Sequence, residues 1–270
     1  MSAEAEADTA DDQEPETNTE AFHTGGFKAI VDVGTLDAYL DILGALVEEA
    51  IIELTEDGLH TRANDPGNVA LVDVTLPAAE FESYTANGGI LGIDIATLKN
   101  AIGLASGKDA LVTLELNAET YKVDVSGHDF NYAVAPIDPD AIRSRPGTPD
   151  LPRTNTIDID AGQLKRAASG VDLVDDHLKL LAHAEEGELH VIGDGDTDDL
   201  EFYFGEDDLY GTDIEEDTET LLSLDYVEKT VAQMAGTVTV TLSGEFPGIF
   251  EFERAGTTAE YTIAPRVQRD

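Results

Sequence analysis

The sequence predicts an α+β protein made of two similar halves, each holding two units in which one short helix accompanies several strands. Three observations predict it. Apolar and polar residues alternate along most of the chain, four segments replace that alternation with helical spacing, and these four recur at a nearly constant interval. The alternating runs include "ALVTLEL", "YKVDVSG", "EGELHVIG", "TVTVTLSG" and "AEYTIAP", with turn signals "EDG", "GDGD" and "AGT" between runs. The helical segments are "VGTLDAYLDILGALVEE", "DIATLKNAIGLA", "DAGQLKRAASGV" and "SLDYVEKTVAQM". Their leading apolar residues Leu36, Leu98, Leu164 and Val227 lie 62, 66 and 63 positions apart.

In chain order, residues 1–26 are expected to be a disordered, solvated tail. Its opening stretch "MSAEAEADTADDQEPETNTEAFHT" holds eight acids and no lysine or arginine. The first half, 27–136, carries the helices led by Leu36 and Leu98. A linker at 137–152 follows, inside "PIDPDAIRSRPGTPDLPRTN", where five prolines and no periodicity predict an extended surface connection. The second half, 153–267, carries the helices led by Leu164 and Val227, and 268–270 form the C-terminal end.

Charge narrows the setting. The 270 residues hold 57 Asp plus Glu against 15 Lys plus Arg, a formal charge of −42. Such a chain repels itself in dilute salt, whereas at about 1 M salt the Debye length is only roughly 3 Å. A hydrophobic content of 41% is ordinary for a folded protein. The composition fits a cytosolic protein of a cell that accumulates molar salt, and a DNA-mimicking inhibitor would carry the same charge. Without cysteine there are no disulfides, thiolate metal sites or cysteine nucleophiles. No basic stretch followed by an apolar run marks a secretory signal, and no apolar segment approaches the roughly 20 residues of a membrane span.

The few cations are placed unevenly. On the third helix Ala161, Leu164, Ala168 and Val171 form the inward stripe, which turns Lys165 and Arg166 outward; these two are the only adjacent basic residues in the chain. Leu98, Ala101, Ile102 and Ala105 turn Lys99 outward on the second helix, and Leu224, Val227, Val231 and Met234 do the same for Lys229 on the fourth. Each alone reads as a solubilising charge. Together, in so acidic a chain, they read as a shared positive surface. The first helix instead exposes Asp37 and Asp41.

Apparent catalytic motifs fail on inspection. A calcium loop starting at Asp194 has Asp199 where glycine is needed and Gly205 where glutamate is needed, so an acidic hairpin is expected. "GLASGKD" has phosphate-loop glycines one residue too close, and Asp109 replaces the magnesium-holding hydroxyl. The six histidines lack paired-ligand spacing, although His183 and His190 can meet across a hairpin. Ser126 and His128 lack a nucleophile elbow. No enzyme, cofactor or metal is indicated.

Over nearly all of 27–267 the chain resembles the archaeal and eukaryotic sliding clamp family, proliferating cell nuclear antigen. The resemblance rests on "FKAIVDVGTLDAYLDILGALVEEAIIELTEDGLHTRANDPGNVALVDVTLPAAEFESY", "GIDIATLKNAI", the linker, "SLDYVEKTV" and "YTIAPRV". It implies the DNA clamp fold: two βαβββ units per half, with helices lining the inside of a ring and sheets outside. It also implies a homotrimer closed head to tail, encircling duplex DNA without sequence preference. The ring would tether a DNA polymerase and other proteins carrying clamp-binding peptides, and an ATP-dependent loader would open it. By position, Lys99, Lys165, Arg166 and Lys229 would face DNA. Val69, Leu71, Ile142, Pro146, Pro247, Ala264 and Pro265 would line the partner-peptide groove, where Asn64 and Thr262 stand in place of the family's larger apolar or aromatic residues. Phe130 and Tyr132 on one edge would meet Leu200, Phe202 and Phe204 on the other. A diverged paralogue with altered partners, or a monomeric acidic β-rich binding protein, are the alternatives; the latter predicts neither a ring nor a role for the outward cations.

Overall fold

The computed structural model describes residues 26–105, 110–117 and 119–266. The expected tail, apart from Gly26, and the expected end at 268–270 lie outside the described residues, as does Asp109. The chain runs β1 (Phe27–Asp32), α1 (Val33–Gly44), β2 (Glu49–Thr55), β3 (Gly58–Asn64), β4 (Ala70–Pro77), β5 (Ser83–Ala86), β6 (Ile90–Asp94), α2 (Ile95–Ile102), β7 (Leu111–Leu116), β8 (Val123–Ser126) and β9 (Asn131–Val134). It then repeats that order. The second series is β10 (Asn155–Asp160), α3 (Ala161–Val171), β11 (His177–His183), β12 (Glu188–Asp194), β13 (Asp199–Phe204), β14 (Leu209–Asp213), β15 (Thr218–Ser223), α4 (Leu224–Val231), β16 (Thr237–Leu242), β17 (Gly248–Arg254) and β18 (Thr257–Ile263). Each strand of the first series has its counterpart nine strands later.

Three of the four helices begin in the same way because their sequences do. A strand ends in Asp32, Asp94 or Asp160, and that carboxylate accepts the free N–H groups of the first turn, from Gly34 and Thr35, from Thr97 and from Gly162. Ser223 holds the fourth position without a side-chain cap bond. Helix α1 stops at Gly44, short of the apolar pattern, which continues through Leu46 and Val47. Those two are buried from a turn, and Glu49 already pairs with Asp94 across β2 and β6. Burial alone does not distinguish a helix from the turn that follows it.

The strands form three antiparallel sheets. A five-stranded sheet has the order β5-β1-β7-β8-β9, and a four-stranded sheet has the order β13-β12-β11-β15. The nine-stranded sheet, β14-β10-β16-β17-β18-β4-β3-β2-β6, contains the counterparts of both, fused where β18 pairs with β4. There Tyr261 stands opposite Val72 and Ala259 opposite Val74. Val72, Val74 and Leu76 face the helices and are buried, while Leu71, Asp73 and Thr75 face the other side, as the two-residue strand period requires. The Tyr261 hydroxyl donates to the Ile42 carbonyl at 2.7 Å, seating α1 across the fusion. Helix α1 packs beside α2, and α3 beside α4. Among the described residues no helix is long and apolar enough to cross a membrane.

Candidate nucleic-acid face, partner groove and sheet edges

The helices carry Asp37, Asp41, Asp225 and Glu228 against Lys99, Lys165, Arg166 and Lys229. They are formally neutral in a chain at −42. The four cations differ in what holds them. Lys99 is half-buried between Asp37, at 3.0 Å, and Asp41 on α1; burial opposes its charge, but the two carboxylates outweigh this and raise its pKa. Lys165 is also half-buried and donates to the Met234 carbonyl at 2.9 Å, just beyond α4. A cation there complements the carbonyl end of the helix. Arg166 and Lys229 are exposed. The Arg166 guanidinium lies 5.4 Å from the centre of the Phe202 ring, and the Lys229 ammonium 5.6 Å from that of Tyr226. Asp41 also binds Arg254 of β17 at 3.1 Å, so the acids that break the pattern on α1 serve as anchors for two cations.

Of the expected groove residues, the fold gathers Val69, Pro247, Ala264 and Pro265 at the ends of three neighbouring strands. The Ala264 N–H donates to the Val69 carbonyl at 2.8 Å, and Gly248, next to Pro247, pairs with Ile263. Leu71 stands between Asn64 and Thr262 on the face away from the helices. Leu71 and Thr262 are 8% and 6% exposed, and the linker re-enters the second half at the same end of the sheet. Ser243 donates to the Pro152 carbonyl and accepts from the Thr154 N–H, both at 2.9 Å. Ile142 lies elsewhere, buried where its Cδ1 would stand 2.8 Å from a Cβ on Gly92 of β6, three strands from β4. Pro146 is half-buried in the linker.

The linker is held by charge. Arg143 donates to the Asp65 carbonyl at 2.6 Å, Arg145 pairs with Glu53, and Arg153 spans Glu251 and Glu260, the latter at 2.9 Å. Arg145 also meets His60 Nδ1 at 2.6 Å. A guanidinium can only donate, so Nδ1 accepts and His60 Nε2–H donates to Asp73 at 2.6 Å. Asp73 takes a further bond from Arg62. Burial alone would raise the Asp73 pKa, but its bonds to His60 and Arg62 outweigh this and hold it below the ordinary value.

Two of the six sheet-ending strands carry the expected edge residues. Strand β9 ends the five-stranded sheet and β13 the four-stranded one. Tyr132 is 45% exposed, and Phe130, Leu200 and Phe202 are half-buried. Leu200 and Phe202 lean over Gly170 of α3, where any Cβ would lie 2.9 and 2.7 Å from them. Phe204 is 1% exposed, committed to its own core, and offers no side chain outward; its neighbour Tyr203 is 61% exposed. His183 and His190 do meet, ring centres 4.4 Å apart, but both His190 nitrogens are already bonded, to Glu188 at 3.0 Å and Glu201 at 2.9 Å. Asp194 and Asp199 frame a hairpin between β12 and β13. Among the described residues Asp175, Asp176 and His177 bring three ligand-type atoms within 4.8 Å of one another, though Asp175 already receives the His177 N–H at 3.0 Å.

The family model described as proliferating cell nuclear antigen, N-terminal domain, matches residues 29–126. The DNA polymerase sliding clamp of Natronomonas pharaonis is 39% identical over 249 residues, covering 90% of this chain and all of the relative. The sliding clamp of Haloarcula marismortui has the same identity and coverage. This chain belongs to the sliding clamp family. Among solved structures, the A. fulgidus clamp bound to the C-terminal region of FEN-1 superposes with a TM-score of 0.82 at 29% identity, covering 90% of this chain and 100% of that one. The Thermococcus kodakaraensis clamp gives 0.80 at 22% identity, with 89% and 100% covered, and attests to the fold.

Several residues of this clamp escaped the sequence reading. Three of its eight arginines, Arg143, Arg145 and Arg153, cluster in the linker and at its junction with the second half, a visible signal in so acidic a chain. Phe246, 47% exposed beside Pro247, carried a weaker signal as an aromatic in a turn. Asp65 carried none, being one acid among 57. It is 3% exposed, with its carboxylate accepting from Gly67, Val69, Ala70 and Tyr226.

Proposed function

We infer that this chain works as a DNA sliding clamp: it encircles duplex DNA as a homotrimer, with its helices inward, and tethers a polymerase and other partners through a peptide groove. It acts as a tether rather than a catalyst, in a high-salt cytoplasm, and is opened by an ATP-dependent loader. The observation that carries the ring is the fused sheet. Within one chain, β18 joins β4; their counterparts, β9 and β13, each end a sheet with one side unpaired. Repeating the internal joint between chains closes both edges, which are otherwise an aggregation hazard. Transferring the internal register sets Tyr132 opposite Leu200 and Phe130 opposite Phe202. The formally neutral helix set supports the inner face: it lowers repulsion of phosphate without gripping it, which suits a ring that must slide. For the groove, the support is the junction of Val69, Ala264 and Pro247, and the bound FEN-1 region in the A. fulgidus structure.

Mass by light scattering in about 2 M KCl tests the ring, since that salt screens the carboxylates. At 28.8 kDa per chain, three chains make about 86 kDa. A species of that mass, retained on circular DNA and lost when the DNA is linearised, is the expected result. A strict monomer at every protein concentration sinks the homotrimer.

A further inference from the structure

The connection from β3 to β4, residues 65–69, forms one wall of the proposed groove, and it is folded around a single carboxylate. Asp65 Oδ1 accepts from the Val69 N–H at 2.6 Å and the Ala70 N–H at 2.7 Å, while Oδ2 accepts from the Gly67 N–H at 2.6 Å. Three backbone donors converging on one anion make a nest, which fixes where Val69 points. The fourth donor comes from the other half of the chain: the Tyr226 hydroxyl of α4 reaches Asp65 Oδ2 at 2.7 Å. Gly67 makes room for it. A Cβ there would lie 2.9 Å from Asp65 Oδ2 and 3.1 Å from the Tyr226 hydroxyl, so this glycine is required by close approach. The Tyr226 ring is covered on the helix surface by Lys229.

We propose that Tyr226 is a positioning residue for partner binding: from the helix face of the second half, its hydroxyl holds the Asp65 nest and thereby the groove wall of the first half. This rests on the groove reading given above. Tyr226 does not touch the partner peptide; it acts through Asp65. Because Asp65 is buried, losing one donor leaves a carboxylate lone pair unsatisfied, and the surrounding loop loosens.

The test uses the full chain in about 2 M KCl. Amide exchange at Gly67, Val69 and Ala70 is compared between wild type and Tyr226→Phe, which removes only the hydroxyl. Affinity is measured with the C-terminal region of FEN-1 that is bound in the A. fulgidus clamp structure. The expected result is roughly tenfold faster exchange at these three amides, unchanged exchange in β16, and peptide binding weakened about five- to tenfold. Gly67→Ala should match it by displacing the hydroxyl. In a double-mutant cycle, Asp65→Asn with Tyr226→Phe should lose no more than Asp65→Asn alone, because both act on one bond; a merely structural tyrosine would give additive losses. Unchanged loop exchange in Tyr226→Phe overturns the proposal. So does unchanged affinity where the wild type binds. If the wild type itself fails to bind while Tyr226→Phe still loosens the loop, the groove reading fails and the proposed role in binding falls with it.

Discussion

Tyr132→Ala tests the proposed ring at its most accessible point. Tyr132 sits on the open edge of β9 with 45% of its surface exposed, so its own fold depends little on the exposed part. A tyrosine side chain offers roughly 200 Å². Covering the exposed part therefore removes about 90 Å² from water, worth about 2 kcal/mol at ~25 cal/mol/Å². A closed trimer repeats the contact three times, for a total of about 6 kcal/mol, or roughly four decades in the ring's dissociation constant. The half-assembly concentration varies as the square root of that constant, so it should rise about a hundredfold. Light scattering along a dilution series in about 2 M KCl reads this directly. A dilution curve that overlays the wild type, with the variant folded by circular dichroism, would refute both the edge pairing and the register that sets Tyr132 against Leu200.

Other expectations follow from the same geometry. Asp65 and Asp73 have pKa values below the ordinary carboxylate value, burial notwithstanding, because hydrogen bonds favour their charged forms, joined at Asp73 by the charges of His60 and Arg62. Their stabilisation is complete above the unfolded carboxylate range, about pH 4, and is lost as the pH falls through the lower folded values. Thermal melts should therefore show acid sensitivity below about pH 4 that flattens in Asp73→Asn. Among the helix cations, Arg166→Gln and Lys229→Gln should each lower the log–log salt slope of DNA retention by about 0.9. Lys99→Gln should leave that slope nearly unchanged but lower the melting temperature, since Asp37 loses its cation and Asp41 keeps only Arg254. Arg145→Gln, which releases the linker from Glu53 and His60, should speed proteolysis near residues 143–150 well before the core is cut.

The sequence by itself determined the repeat, the helix starts and the outward direction of the cations. These depend on local chemistry: an aspartate ending a strand caps the helix that follows, and apolar spacing decides which face turns inward. It also reached Tyr132 and the other edge aromatics through resemblance, yet it could not see that Phe204 belongs to the core. Alternation puts Leu200, Phe202 and Phe204 on one face of β13 without saying how far along that face the chain's own core reaches. Only tertiary structure decided what each charge is for. Lys99 neutralises two acids from a helix 58 residues away, Lys165 binds a carbonyl beyond α4, and Asp65 joins two halves through Tyr226. Ile142, expected in the groove wall, instead packs at Gly92 because a bridge between Gly92 and Ile137 first pins the linker there. Such pairings join residues far apart in sequence, and in a chain with 57 acids no local pattern picks out the few that are buried and bonded.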